Sequence, residues 1–431
     1  MKRKNLCGGY CILILLTLVL AVLLGVFNSS YAAEAKDVKN ILKTDNIGLL
    51  SVDLPGREGV KIGELIFHSA LRAETQYDSN IYLEHRNENS DVINVINPSF
   101  GLKLPMQDND ISLEYDATFN YFSRYPANDH IDHRVTSLAE LNWTDYKITL
   151  RDTYRRYKDR TGTEDVNRTK RQTNNIGAVV ETKELNRMFL SFGYINNLES
   201  YLSADPIMTG LSYRDKSYIE QAFNMILNYR MYSKTYFMWE NDYGTIHYYK
   251  NSIPADSYYI ESLIGVKGDL TSKLGANIKV GARYQEYEES PLLNDDGYFN
   301  AVARGGLDYF AGKDDTYSLN VERSTYESTF DDMNYYELNS LGLNYAHKFN
   351  HKLTGNLFTS VQENLYPKES TVGGVTKKRK DKIYYFGCSL KYIIQKWLSL
   401  EGKYQFERRD SNFSAFSYTD NLVSVACTIG F

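Results

Sequence analysis

Apolar and polar side chains alternate along most of this chain. In the final stretch NLVSVACTIGF, every second residue from Val423 to Phe431 is apolar, and the residues between them are mostly small or polar. The stretch ISLEYDATFNYF, which begins at residue 111, repeats the pattern. A period of two indicates a β-strand with one apolar and one polar face.

Segments of this kind follow one another from residue 65 to the C-terminus and predict about eighteen strands, within a range of 16 to 20. The 172–182 segment alternates only weakly. Asp152 falls on an apolar face, and we expect it near a membrane rim, where a charge costs less than at the midplane. The predicted strands begin near residues 65, 92, 111, 134, 147, 172, 188, 217, 235, 257, 273, 298, 316, 335, 353, 381, 397 and 420.

The links between these segments alternate in length. One set is short, as in TDY, KELNR, MYSK and IIQK, and the other is longer and polar, as in KDRTGTEDVNRTKR, YLSADPIMTGLSYRDK and YPKESTVGGVTKKRK. Outer-membrane barrels have short periplasmic turns and longer outer loops. The pattern therefore predicts an all-β fold, a transmembrane antiparallel up-and-down β-barrel with a polar lumen. Lipid cannot hydrogen-bond a free strand edge, so the strand ending at Phe431 should pair with the one beginning near Leu65.

The N-terminus predicts export. Residues 1–32 have a basic start, an apolar run and a small-residue site, as a signal peptide does, with cleavage after Ala32. Cleavage after Ala35 and an uncleaved anchor are the alternatives. Residues 33–63 do not alternate and form either a periplasmic tail or a segment inside the lumen. Residues 64–431 are the predicted barrel, and the expected location is the bacterial outer membrane.

Composition narrows the function classes. Removal of residues 1–32 lowers Lys+Arg from 49 to 46 against 54 Asp+Glu, a formal charge of −8, which argues against nucleic-acid binding. Cys388 and Cys427 are expected to be separate, packed thiols. The 37 Tyr and 19 Phe suit the interfacial girdles of a membrane barrel, and most Tyr are expected there.

The sequence contains no catalytic or cofactor motif, so we predict a protein that is not an enzyme and that needs no cofactor or metal. His130, Asp132 and His133 are expected in a solvated loop. His68 is expected to face the lumen without a catalytic partner. A hydrolase that uses His68 or His133 is the enzymatic alternative.

The lumen is the remaining candidate site. The predicted lumen residues carry both signs of charge, so no simple anion or cation filter follows. The expected pore-lining residues are Arg72, Glu74, Glu114, Asp116, Arg151, Arg155, Glu240, Lys279, Arg283, Arg304, Glu322, Glu401 and Lys403.

The stretch GVKIGELIFHSALRAETQYDSNIY, at residues 59–82, resembles the start of the putative β-barrel porin 2 family. Gly59, Gly63 and the run Tyr77-Asp78-Ser79-Asn80 carry the resemblance, and NPSFGLKL at 97–104 fits the family's second strand. The resemblance implies an exported barrel often associated with exopolysaccharide secretion. The terminal Phe431 resembles the C-terminal signal by which assembly machinery recognises outer-membrane barrels.

We therefore predict a passive outer-membrane channel for a hydrophilic solute, with a secreted polysaccharide as the expected solute. A general diffusion porin and a non-conducting structural or adhesion barrel are the alternatives. The expected partners are outer-membrane lipids, the barrel-assembly machinery and periplasmic polysaccharide-export components.

Overall fold

The computed structural model describes residues 59–160, 168–208, 211–249, 256–288, 297–330 and 333–431. The predicted signal peptide, the cleavage site at Ala32 and residues 33–58 lie outside this part of the chain. Among the described residues, no helix is long and apolar enough to cross a membrane.

Eighteen antiparallel strands form one closed sheet, in which each strand pairs with its neighbours in chain order. The strand count agrees with the prediction from the alternating pattern. In chain order the strands are β1 Leu65–Asp78, β2 Asp91–Met106, β3 Asn109–Phe122, β4 His130–Asn142, β5 Tyr146–Arg160, β6 Arg168–Thr182, β7 Met188–Tyr201, β8 Tyr218–Tyr232, β9 Thr235–Tyr248, β10 Ser257–Thr271, β11 Leu274–Tyr287, β12 Tyr298–Phe310, β13 Asp315–Glu327, β14 Tyr335–Lys348, β15 Leu353–Val372, β16 Val375–Gln395, β17 Leu398–Ser411 and β18 Tyr418–Gly430.

The barrel closes between its first and last strands, as predicted. Strand β18 pairs with β1 from Ala70↔Gly430 to Asp78↔Leu422. The backbone of Phe431 continues this seam, because its N–H donates to the carbonyl of Ser69 at 2.9 Å and its carbonyl accepts from Ser69 at 3.1 Å. The aromatic residue that ends the printed chain is therefore part of the barrel wall.

The seam is also bonded at its other end, where the family-like Asp78-Ser79-Asn80 run leaves β1. Ser79 Oγ and the Asn80 N–H donate to the carboxylate of Asp420, at 3.0 and 3.1 Å. The Asn80 amide donates to the Thr419 carbonyl at 3.0 Å, and its N–H also donates to Asp78 at 2.9 Å. These side chains bond the first loop to the last strand.

Short turns lie at one end of the barrel and longer connections at the other, and we call these the short-turn end and the long-loop end. The prediction of a long loop at YPKESTVGGVTKKRK is wrong. Strands β15 and β16 run through it as a hairpin of 20 and 21 residues. They turn at Gly373 and Gly374, whose φ angles of +61° and +79° suit a two-residue type I′ turn. For this reason the strand predicted to begin near 381 begins at 375.

The alternating pattern divides the strands into an inward and an outward face. Side chains directly opposite in the pairing register share a face, so the register carries the assignment from strand to strand around the barrel. The outward face exposes two sets of aromatic side chains at its ends, as a membrane barrel requires. The aromatic side chains at the short-turn end are Trp143, Tyr146, Tyr309, Tyr317, Tyr392, Trp397 and Phe431, and those at the long-loop end are Tyr77, Tyr121, Tyr243, Tyr258, Tyr284 and Phe299.

Asp152 faces outward, as predicted. It lies near the middle of the 15-residue strand β5, one outward position before Tyr154, and its location at a membrane rim stays a prediction. Its side chain is only 7% exposed and hydrogen-bonds Asn174 on the neighbouring strand β6. Neighbouring side chains and this hydrogen bond shield part of the carboxyl group, whereas its Oδ1 atom is buried and has no hydrogen-bond partner among the described residues.

The chain before β1 folds back on it. Residues Val60–Ile62 pair antiparallel with Leu65–Phe67. Gly59 has a φ of +67°, and a Cβ there would lie 2.7 Å from the ring of His68. Gly63 in the turn has a φ of +66°. The two family-like glycines therefore stand where the backbone needs a left-handed conformation.

Cys388 and Cys427 are free thiols of intermediate exposure, as predicted. They lie on the outward faces of β16 and β18, and β17 separates those strands. Cys388 is opposite Tyr404 of β17, whereas Cys427 is opposite Leu400. Two strand spacings, about 9–10 Å, are too far for a disulfide.

Candidate functional site in the barrel interior

The inward face is the concave interior of the barrel. Its side chains reach partners on strands that are not neighbours, such as Tyr259 on β10 and Glu220 on β8, whose side chains are 2.6 Å apart. All thirteen candidate residues occupy inward register positions, although their role in conduction stays a prediction. They are Arg72, Glu74, Glu114, Asp116, Arg151, Arg155, Glu240, Lys279, Arg283, Arg304, Glu322, Glu401 and Lys403.

Three of the candidates meet beside the seam. The Arg72 guanidinium on β1 donates to Glu401 of β17 at 2.9 Å and to Glu74 of its own strand at 3.0 Å. Gln76 donates to the other carboxylate oxygen of Glu74 at 3.0 Å. The cation between two carboxylates connects strands on both sides of β18.

Arginine side chains surround Tyr157 on β5. The guanidinium carbons of Arg155 and Arg171 lie 4.4 and 4.8 Å from its ring centroid. Arg171 also pairs with Glu199 at 2.5 Å and with Asp159 at 3.0 Å. Arg155 is exposed, whereas Tyr157 and Glu199 are buried. This part of the wall presents a guanidinium group to the interior beside a shielded ion pair.

Two ion pairs, one buried and one partly buried, join alternate strands between β9 and β12. Lys279 Nζ lies 3.0 Å from both carboxylate oxygens of Glu240, and the two residues are 5% and 1% exposed. Arg304 contacts Glu261 at 2.5 and 3.0 Å. Asp116 and Arg134 make a similar pair at 3.1 Å between β3 and β4. We expected the charged side chains of the wall to be solvated, but in these places they form ion pairs with one another.

Arg283 lies at the centre of a network that the sequence did not reveal. Its guanidinium carbon lies 3.6 Å from the centroid of the Tyr259 ring. The Tyr259 hydroxyl donates to Glu220 at 2.6 Å, and Asn197 donates to the same carboxylate at 2.9 Å. Arg283 also donates to Gln285 at 2.7 Å.

Glu327 extends this network to strand β13. Its carboxylate accepts hydrogen bonds from Tyr248 at 2.6 Å, from Gln285 at 2.8 Å and from Tyr287 at 3.2 Å. Tyr298 donates to Gln285 at 2.8 Å. Side chains from β9, β11, β12 and β13 thus converge at the long-loop end.

A lysine bridges two loops at this end. Lys216, which is 3% exposed, lies in the connection between β7 and β8. Its Nζ donates to the carbonyls of Ser328 at 3.2 Å and Met333 at 3.0 Å. Both carbonyls belong to the connection between β13 and β14, so the lysine holds the two connections together.

An arginine with aromatic neighbours joins further elements of the long-loop end. Arg379 lies 4.4 Å from the centroid of Phe330, 4.7 Å from Tyr366 and 4.0 Å from Phe416, and it pairs with Asp381 at 2.7 Å. Its side chain is fully buried. The contacts connect the β15–β16 hairpin to the loops before β14 and β18.

The structure separates residues that the sequence placed in one loop. His130, Asp132 and His133 lie in strand β4 and not in a solvated loop. His130 and Asp132 share the inward face, whereas His133 points outward and contacts the Tyr115 hydroxyl at 2.9 Å. In the described part of the chain, no three His, Cys, Asp or Glu side chains are arranged to hold a metal ion.

Many tyrosines also differ from expectation, because a large group faces inward and not toward the girdles. Alternation could have assigned these residues to the inward face. It could not show that they are buried together, because that depends on contacts between distant strands. The buried inward tyrosines include Tyr157, Tyr201, Tyr218, Tyr248, Tyr259, Tyr287, Tyr298 and Tyr418.

With the closed barrel and its polar interior described, a family model gives the class of the protein. The model described as putative beta-barrel porin 2 matches residues 55–431. The chain belongs to this family, and it is an outer-membrane, porin-like β-barrel. The family and the fold are those of channels.

Several solved barrels are similar to this one. OpdK from Pseudomonas aeruginosa is 11% identical, with a TM-score of 0.45, over 85% of this chain and 99% of that chain. OccAB3 from Acinetobacter baumannii is 11% identical, with a TM-score of 0.48, over 86% of this chain and 100% of that chain. OccK11 (OpdR) from Pseudomonas aeruginosa is 14% identical, with a TM-score of 0.46, over 88% and 98%. No curated protein matches the chain.

Proposed function

We propose that this protein is a channel for a hydrophilic solute and that its long-loop end controls passage. The convergence of side chains on Glu327 carries the proposal, because it places carboxylate, phenol and amide groups together at the long-loop end of the interior. A barrel of eighteen strands encloses a lumen wide enough for water. Polar groups in such a lumen replace part of the hydration of a solute that could not enter hydrocarbon.

The finer proposal is that the solute is a secreted polysaccharide and that the protein is its exit conduit. This choice rests on the resemblance of residues 59–82 to the start of the family, which implies a barrel often associated with exopolysaccharide secretion. The interior supports it by its chemistry, because carboxylates and guanidinium groups hydrogen-bond hydroxyls and tyrosine rings pack against sugar rings. A general diffusion porin is compatible with the same fold.

The control of passage can be tested at Lys216. We expect Lys216→Met to raise the single-channel conductance in planar bilayers, because the 202–217 and 328–334 connections lose their bridge. Lys234→Met is the matched control, since this lysine lies in a short turn and its side chain is 73% exposed. Equal conductance of the Lys216 variant and the unaltered protein would refute control at this contact. Absence of conductance in all three proteins would favour a structural or adhesion barrel.

The solute requires a separate experiment. Deletion of the gene should lower the secreted polysaccharide, and a plasmid copy should restore it. Normal secretion in the deletion strain, together with a steady conductance of the purified protein, would favour the general diffusion porin.

We also propose that the chain reaches the outer membrane through a signal peptide cleaved after Ala32. The basic start and apolar run of residues 1–32 support this route. The intact mass of the protein from outer membranes should correspond to residues 33–431. A mass that includes the apolar run would indicate the uncleaved anchor instead.

A further inference from the structure

A group of cations lies on the outward face, at the long-loop end of β5 and β6. Lys158 is directly opposite Lys170 in the register, and Arg156 lies one step toward the centre of the barrel wall. Arg156 and Lys170 are exposed and Lys158 is half-buried. We call Arg156, Lys158 and Lys170 the basic patch.

The basic patch has no carboxylate partner among the residues that the structure describes. The carboxylate of Asp132 accepts from the backbone N–H of Lys158 at 2.9 Å and from the Asn120 amide at 3.2 Å. Asp159 lies on the opposite face and pairs with Arg171 at 3.0 Å. Like charges directly opposite each other destabilise a strand pair, so a bound anion would offset the repulsion between the two lysines.

Four outward cations elsewhere at the long-loop end do have carboxylate partners. Arg323 pairs with Glu337 at 2.6 Å and Arg408 pairs with Asp410 at 2.8 Å. Lys380 pairs with Glu363 at 2.8 Å, and Lys382 lies 3.8 Å from the same carboxylate. Among the described residues, the basic patch differs from these cations because it has no carboxylate partner, in a chain whose net charge is negative.

Aromatic side chains place the basic patch at the membrane interface. His133 is directly opposite Arg156 on the outward face and contacts the Tyr115 hydroxyl at 2.9 Å. Tyr154 lies one step below Arg156, and its hydroxyl donates to Gln172 at 3.4 Å. Tyrosines of this kind mark the boundary between hydrocarbon and head groups. The cations above them are at the level of lipid phosphates.

We propose that the basic patch binds the phosphate groups of an anionic glycolipid in the outer leaflet. The guanidinium of Arg156 can donate two parallel hydrogen bonds to a phosphate, and the two lysines supply point charges beside it. The lipid is favoured over free phosphate because the patch adjoins the apolar wall, where acyl chains pack below the head group. The site is separate from the interior and does not depend on which solute passes.

The test compares two triple variants of the purified, full-length barrel. Arg156→Gln/Lys158→Gln/Lys170→Gln removes the basic patch. Lys380→Gln/Lys382→Gln/Arg408→Gln removes the same charge from outward cations that have carboxylate partners. Binding is measured by native mass spectrometry in detergent, with bisphosphorylated lipid A as the probe and dephosphorylated lipid A as its control. A folded-barrel mobility shift on gels verifies each variant.

We expect the basic-patch variant to bind bisphosphorylated lipid A about tenfold more weakly than the unaltered protein, since each cation near a head group contributes to attraction. The control variant should keep its affinity, and dephosphorylated lipid A should bind weakly to all three proteins. Equal losses in both variants, or equal binding of the two lipids, would overturn the proposal. Full competition by inorganic phosphate at the same concentration would also overturn it, because it would identify a free-anion site.

Discussion

Glu240 and Lys279 illustrate how single residues behave inside this barrel. Their ion pair has little exposure, and both carboxylate oxygens lie 3.0 Å from the ammonium nitrogen. Burial removes two charges from water, and the loss of solvation free energy is only partly offset by their attraction. Removal of one partner should lower the stability of the barrel more than removal of both, because it leaves a buried charge without a partner.

We expect Lys279→Met to lower the free energy of unfolding by about 3 kcal/mol, the lower end of the range for a broken buried pair. The double variant Glu240→Gln/Lys279→Met should recover much of that loss. Urea unfolding in lipid vesicles, followed by tryptophan fluorescence, measures both. A double variant that is less stable than the single one would contradict this explanation, because it would show that the buried charge of Glu240 does not need Lys279 as its partner.

Alternation predicts the face of a residue but not its partners, and this sets the limit of sequence reasoning about the interior. Arg283 was predicted to face inward, and it does, but nothing in the local pattern indicates that it lies over Tyr259. Glu327 joins groups that are up to 79 residues away in sequence. Such contacts depend on barrel curvature and strand register, which a single strand does not encode.

At the scale of elements, the turn between β15 and β16 shows why one boundary was missed. The polar run around Gly373 and Gly374 reads as a loop, but the two glycines allow a tight turn that keeps both flanking segments paired. Thr371 and Thr376 remain opposite each other, with their hydroxyls 2.7 Å apart. The observed first residues of the other seventeen strands lie within four residues of the predicted ones.

We expect Gly373→Ala/Gly374→Ala to unpair the tip of this hairpin, because alanine is strained at both φ angles. Trypsin should then cleave after the exposed Lys378 several-fold faster, while the barrel itself stays folded. Gly312→Ala is the control, since a Cβ at that position meets no atom within 4 Å. Unchanged cleavage of the double variant would show that the turn tolerates side chains.

At the scale of the whole molecule, Phe431 has a structural and a proposed cellular role that can be separated. Its backbone bonds Ser69 whatever the side chain is. Its exposed ring stacks on Trp397, with centroids 6.3 Å apart and an interplanar angle of 8°. The ring is therefore available to assembly machinery, whereas closure of the barrel depends on the backbone.

We expect Phe431→Ala to fold into lipid vesicles about as well as the unaltered protein but to reach the outer membrane in several-fold lower amount. Trp397→Ala removes the stacking partner and serves as the control, with normal amounts expected in cells. Folding yield in vesicles and the quantity of barrel in outer-membrane fractions measure the two effects. If both variants fold poorly in vesicles, the ring stack stabilises the barrel and the assembly role loses its support.

The short hairpin before β1 limits the ways in which the strands of the barrel can mispair. Below Ala70, the edge of β1 that would face β18 is occupied by residues Val60–Ile62 of the same chain. Strand β18 therefore cannot slide further down β1 without displacing them, and a second molecule finds no open edge there to join. The short hairpin therefore opposes both register slippage at the seam and strand exchange between copies of the protein.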